Sequence, residues 1–152
     1  MEIQREDLQG LLISATMKPM PTGEIRCRMK TEPALGMRTK SVHVTKANDL
    51  TWQGQFHCHH QLLESYVVVA GKIGMVSWDG TKVKSKVVLQ GDRLIFFPGV
   101  WHDICTTPEA EFVTLQVSKP DVILEKDREV LEDLPPAVSA EMQRVLRLLL
   151  SF

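Results

Sequence analysis

Apolar and polar residues alternate with a period of two along most of this chain, and that period predicts strands. Residues 24–30 show it most cleanly: Ile25, Cys27 and Met29 fall on one face and charged residues on the other. Met37 to Val44 is β-rich with a looser alternation. Glu64 to Ala70 is a nearly continuous apolar run, Gly71 interrupts it, and Lys72 to Trp78 follows as a second strand. Asp79-Gly80 then predicts a two-residue hairpin, because glycine accepts the positive φ of a type I′ turn. Beyond it, Lys82, Lys84 and Lys86 alternate with Val83 and Val87, the pattern of a solvated edge strand guarded by lysines. Leu94 to Phe97, His102 to Thr106 and Glu111 to Val117 complete the series.

The pattern changes after Ser118. Pro120 and Asp121 suit the first turn of a helix, and the charged segment 121–133 is predicted helical. Leu134-Pro135-Pro136 breaks the chain. Ser139 is placed to cap a last helix whose Met142, Val145, Leu146, Leu149 and Phe152 form an apolar stripe at helical spacing. That stripe is expected to dock on the wall of the strand-rich body; a dimer contact is the alternative. Many short strands followed by helices predict an all-β sandwich or barrel, residues 1–119, with a C-terminal helical appendage, residues 120–152.

Length and composition narrow the class. A chain of 152 residues makes one domain, able to hold a core without disulfide or metal. Eighteen basic residues against nineteen acidic ones lack the basic excess of a nucleic-acid module. No apolar run reaches the roughly 18–20 residues of a membrane span, and the charged N-terminus does not read as a signal peptide. Cys27, Cys58 and Cys105 form no CxxC pair and read as reduced thiols of a cytoplasmic protein.

The chemistry concentrates in His57, His59 and His60, followed by Glu64 and, far along the chain, His102. On a strand, residues i and i+2 share a face, so His57 and His59 converge while Cys58 points away. Glu64 opens the next strand and is able to reach the same point. Imidazoles with a carboxylate suit a divalent transition-metal ion. By the same parity His60 points away from the ion, as a neighbouring or surface group, and Cys58 is inert. Tyr66 and Val68 share the face of Glu64, and Ile104 that of His102, giving a mostly apolar pocket with a few polar groups. Trp101 packs on the opposite side of its strand. Arg26, Arg28, Arg38, Lys40 and His43 are candidate anion anchors, and Arg28, Arg38 and His43 are taken as the substrate contacts.

At these residues the chain resembles the cupin superfamily. His57-Cys58-His59, four residues, Glu64, six residues and Gly71 match the first cupin motif from its first histidine onward. Gly91, Gly99 and His102 match the second in register, nineteen residues later. Gly54 stands too near His57 to be the leading glycine, Phe97 replaces the motif proline, and Thr106 replaces the closing asparagine. The resemblance implies a cupin-type antiparallel β-barrel with His57, His59, Glu64 and His102 as metal ligands, and Glu64 and Tyr66 as catalytic groups. The expected cofactor is one divalent ion, Fe2+ or Mn2+ ahead of Zn2+ or Ni2+. The expected activity is dioxygenase chemistry on a small chelating metabolite. The alternatives are a zinc- or manganese-dependent sugar or sugar-nucleotide isomerase or epimerase, and a non-enzymatic metabolite-binding cupin. A homodimer is expected, with no nucleic-acid or membrane partner.

Overall fold

The computed structural model describes residues 2–8, 11–19, 25–33 and 38–151, with side chains from residue 39 onward. The side chains of Arg26, Arg28 and Arg38, and Phe152 with them, lie outside the described residues. Three N-terminal strands, β1 (Glu2–Leu8), β2 (Leu11–Pro19) and β3 (Ile25–Pro33), form an antiparallel meander. Ten further strands follow: β4 (Arg38–Lys46), β5 (Thr51–Trp52), β6 (His57–His59), β7 (Leu63–Ala70), β8 (Lys72–Trp78), β9 (Val83–Leu89), β10 (Arg93–Phe96), β11 (Trp101–Thr106), β12 (Glu111–Ser118) and β13 (Arg128–Val130). They build two antiparallel sheets, ordered β10-β7-β12-β4 and β13-β6-β11-β8-β9, with β5 added to β11. This is the expected all-β jelly-roll barrel.

Strand parity explains the apolar run of β7. Tyr66 and Val68 join Ile73, Val88, Leu94, Phe96, Ile104 and Phe112 in the core between the sheets. Leu63 on the opposite face packs with Leu115 and Val117. Both faces of β7 are covered, so both parities are apolar. In β11, His102 and Ile104 point inward, whereas Trp101 and Cys105 belong to an outer cluster with Phe56 and the C-terminal helix. Trp101 thus packs on the outside, stacked on Phe56.

A hairpin joins β8 to β9, but its two turn residues are Gly80 and Thr81 rather than the expected Asp79 and Gly80. The Asp79 N–H donates to the Lys82 carbonyl at 3.3 Å, and Asp79 does not take the positive φ that a type I′ turn would demand of it. Gly80 has φ 98°, and the Asp79 carboxylate accepts the N–H groups of Thr81 and Lys82 at 2.9 and 2.8 Å. The C-terminal segment departs from expectation: it holds one helix, not several. Within 121–133 there is a single 3-10 turn, Leu124–Lys126, and then strand β13. Two tertiary demands override local propensity. The Asp127 carboxylate accepts the backbone N–H groups of Gln61 and Leu62 at 3.0 and 2.9 Å, and residues 128–130 are drawn into register with β6. Helix α1 (Pro136–Ser151) begins three residues before Ser139, so Ser139 lies in its first turn and does not cap it; Pro136 takes the first position, where no N–H is needed.

The apolar stripe of α1 does dock on the barrel. Val138, Val145 and Leu149 are buried against β8 and β9, at about 1.5–3 kcal/mol per side chain. The close approach requires Gly74, where any Cβ would overlap Val145 Cγ1 and lie 3.0 Å from Leu149 Cδ1.

Candidate functional site

The site grows from two strand pairings. His57 on β6 lies opposite His102 on β11, and β7 of the other sheet carries Glu64 across the barrel interior. Parity turns His57 and His59 to the same side, and their rings meet edge-on with centroids 5.2 Å apart. The rings of His57 and His102 lie 4.5 Å apart. Ligating atoms of His57, Glu64 and His102 all fall within 4.8 Å of one another. His59 stands just outside that trio, its Nε2 3.4 Å from Glu64 Oε2. All four residues expected to hold a metal therefore converge.

Glu64 is the hub. Its Oε1 accepts a hydrogen bond from Tyr66 Oη at 2.6 Å and faces His102 Nε2 at 2.9 Å, while Oε2 accepts from Gln116 Nε2 at 2.6 Å. Burial alone would raise this carboxyl, but the His102 and His59 imidazoles beside it and the Tyr66 hydroxyl outweigh burial and hold Glu64 well below the usual carboxylate range. Tyr66 moves the other way: burial, then the Glu64 charge, push its hydroxyl well above the ordinary phenol value, so it stays protonated. His57 is lowered to about 4, first by burial and then by His102, and is neutral at physiological pH. Its Nδ1–H donates to the Gln55 carbonyl at 2.7 Å, which leaves the Nε2 lone pair free.

The residues fit a divalent cation on two counts. Both ring nitrogens of His59 are buried without a hydrogen-bond partner, a rare condition for polar atoms inside a protein. His102 Nδ1 faces the Val100 carbonyl at 3.0 Å, and a carbonyl only accepts, so that nitrogen carries the proton. Its Nε2 then meets the carboxylate favourably only with a second proton or through a cation. Metal bonds of about 2.0–2.2 Å place neighbouring ligand atoms about 3 Å apart, close to the spacing at hand. The Phe96 ring lies flat on His102, 3.9 Å between centroids and 4° between planes, and fixes that imidazole from behind.

Two contributors escaped the sequence reading. Gln116 has the inward parity of Phe112 and Thr114 on β12, and a glutamine at such a position was the available signal. Asp127, buried, anchors the turn after β6 and places Oδ2 3.9 Å from His59 Nδ1. No periodic pattern marks it.

The outer candidates separate. Cys58 points away from the three histidines and is buried; burial, then the charges of Glu129 and Asp127, push its thiol up. His60 is half-exposed and pairs with Glu129, Nε2 to Oε2 at 3.0 Å. Lys40 Nζ donates to the Pro120 carbonyl at 2.7 Å and is spent tethering the C-terminal segment. His43 lies in one cross-strand row with Thr114 and Tyr66, hence on the inner face, and at the exposed end of that row its Nε2 bonds Ser41 Oγ at 2.5 Å. Arg28 and Arg38 cannot be placed against the site, their side chains lying outside the described residues.

No protein-family model and no curated protein sequence matches the chain. Solved structures do. The chain is similar to the capsular polysaccharide assembling protein CapF from Staphylococcus aureus, with 16% identity and a TM-score of 0.52 over 86% of this chain. It spans only 34% of the length of CapF. It is similar to the rmlC epimerase of Mycobacterium tuberculosis, with 13% identity and a TM-score of 0.55 over 90% of this chain and 77% of that one. It also resembles a variant of the 3,4-ketoisomerase QdtA from Thermoanaerobacterium thermosaccharolyticum, solved with TDP-4-keto-6-deoxyglucose: 14% identity, TM-score 0.54, 81% of this chain and 88% of that one. At such identities the likeness is one of fold, and the fold is that of the cupins.

Proposed function

We propose that this cupin is an isomerase or epimerase of a nucleotide-linked keto sugar, with a divalent ion held by His57, His59, Glu64 and His102. The reading displaces dioxygenase chemistry, because the structures that share its fold include a sugar epimerase and a ketoisomerase. One observation carries it: the ionised Glu64 is held by a Tyr66 hydroxyl that stays protonated, beside a neutral His57. Moving a proton on the carbon next to a ketone needs a protonated donor and a neutral acceptor at one pH, and these groups supply the donor inside the barrel. When bound, the ion supplies Lewis acidity to the ketone and its neighbouring hydroxyl.

The chain's own groups do the rest. Tyr66 holds its proton on Oη, where it is available to an oxygen that gains negative charge. Val68, Leu94, Ile104 and Phe112 line the interior and keep water from the reacting carbon. His43, exposed on the inner face and braced by Ser41, is the accessible imidazole for substrate contact and proton removal at the mouth. We further propose a homodimer. The stripe of α1 is consumed by the barrel, so the motive is β4, which ends its sheet among the described residues and exposes Val42 and Val44 at 54% and 75%.

The test is proton exchange. TDP-4-keto-6-deoxyglucose is incubated with the metal-loaded protein in D2O without dioxygen and followed by NMR. Deuterium entering the carbon beside the ketone, with Tyr66→Phe and His43→Ala each slowing it at least about tenfold, is the expected result. Turnover only in the presence of dioxygen would return the reading to oxygenase chemistry.

A further inference from the structure

The three-residue strand β6 carries chemistry on both faces. His57 and His59 face the barrel interior; Cys58 faces the opposite way, 2% exposed, and lies directly across from Glu129 on β13. Directly opposed residues of an antiparallel pair share a face. His60 shares the outward parity of Cys58, and its N–H donates to the Asp127 carbonyl at 3.1 Å, which carries the pairing with the chain of β13 one residue beyond β6. Its Nε2 then stands 3.0 Å from Glu129 Oε2. A sulfur, an imidazole nitrogen and a carboxylate oxygen from these three residues all lie within 4.8 Å of one another. The thiol forms the floor, and the half-exposed His60 and Glu129 form an open rim.

We infer that Cys58, His60 and Glu129 form a second divalent-metal site, on the outside of the barrel and separate from the inner histidines, suited to zinc. The donor set of one thiolate, one imidazole and one carboxylate is what zinc accepts, with bonds of about 2.3 Å to sulfur and 2.0–2.2 Å to nitrogen and oxygen. Binding displaces the thiol proton to solvent and leaves the fourth tetrahedral position to water. The donors come from two strands, so an ion there clamps β13 onto β6. The same pairing sets Val130 against His57 and Arg128 against His59. The outer ion therefore stiffens the strand that presents the inner imidazoles. This inference does not depend on the activity proposed above.

Cobalt(II) titration of the full-length, metal-free protein tests it, because a thiolate ligand produces a sulfur-to-cobalt charge-transfer band that the sulfur-free inner site cannot. The wild type is expected to show that band with an amplitude of one thiolate-bound cobalt per chain, whether it grows with the first or the second ion added. Cys58→Ser abolishes the band. His60→Ala and Glu129→Gln, both at half-exposed positions where folding is unaffected, weaken the cobalt affinity read from it at least tenfold, since losing even an outer-shell partner costs about 10–100-fold. His57→Ala retains the band. No band in the wild type at saturating cobalt, a band that survives Cys58→Ser, or full affinity in both rim variants would each overturn the inference.

Discussion

Replacing Glu64 by glutamine isolates the charge at the centre of the site while keeping its shape. In the wild type the carboxylate accepts from Tyr66 and Gln116, both at 2.6 Å, and faces His102 at 2.9 Å. Hydrogen bonds to a charged group contribute about 1.5–3 kcal/mol each, and glutamine keeps one accepting oxygen while turning the other position into a donor. With its NH2 turned toward Tyr66 and His102, the amide still accepts from Gln116 Nε2 and donates to the His102 Nε2 lone pair or the Tyr66 oxygen, so the change removes the charge and keeps the partners. Loss of the charge at these three contacts, about 1 kcal/mol each, predicts about 2–4 kcal/mol of destabilisation in the metal-free protein. For a domain of this length that is a fall in Tm of roughly 4–16 °C. Metal supplied at about 100 times its dissociation constant stabilises the wild type by about 2.7 kcal/mol, and Glu64→Gln loses most of that gain.

The acid limb carries a second signature. The Glu64 carboxyl is held below its ordinary value, so the unfolded chain takes up the proton first as pH falls. The stabilisation is complete above about pH 4.5 and is lost progressively below it; the glutamine variant lacks that slope. Thermal melts with and without metal, at pH 7 and through the acid range, check both. An unchanged Tm together with an unchanged metal-induced shift would refute the role of Glu64 as hub.

Gly74→Ala drives a methyl group into Val145 and Leu149 of α1 and should cost about 1–3 kcal/mol by overpacking, measured as a lower denaturant midpoint at unchanged m-value; stability equal to wild type would show that the helix is not pinned there. Sedimentation equilibrium at micromolar concentration should give twice the 17.2 kDa of one chain, and Val44→Lys, at the exposed end of β4, should return the single-chain mass. A wild-type mass of one chain would remove the dimer.

Much of the fold was legible because strand parity is a local property. The hairpin between β8 and β9, the two-sided burial of β7 and the outward turn of Cys58 and Trp101 all follow from alternation that neighbouring residues declare themselves. The convergence of His57, His59 and Glu64 was legible for the same reason, sharpened by the motif spacing that also located His102. The helix expected over 121–133 was not, because the competing partners are remote: Asp127 serves amides some 65 residues earlier, and β13 pairs with a strand equally distant. Charge patterning near Pro120 gave no sign of either.

The order of residues along the chain determined the strands, the faces they present and the identity of four converging side chains of metal-ligand type, since period and spacing are written locally. Only the tertiary structure decided what each group meets. Gln116 and Tyr66 grip the Glu64 carboxylate, and Phe96 backs the His102 ring. Neither nitrogen of His59 finds a hydrogen-bond partner, and β13 brings Glu129 to Cys58 and His60 on the outer face. These pairings join residues up to 71 positions apart, and strand order and register, which sequence spacing does not encode, bring them within a few ångströms.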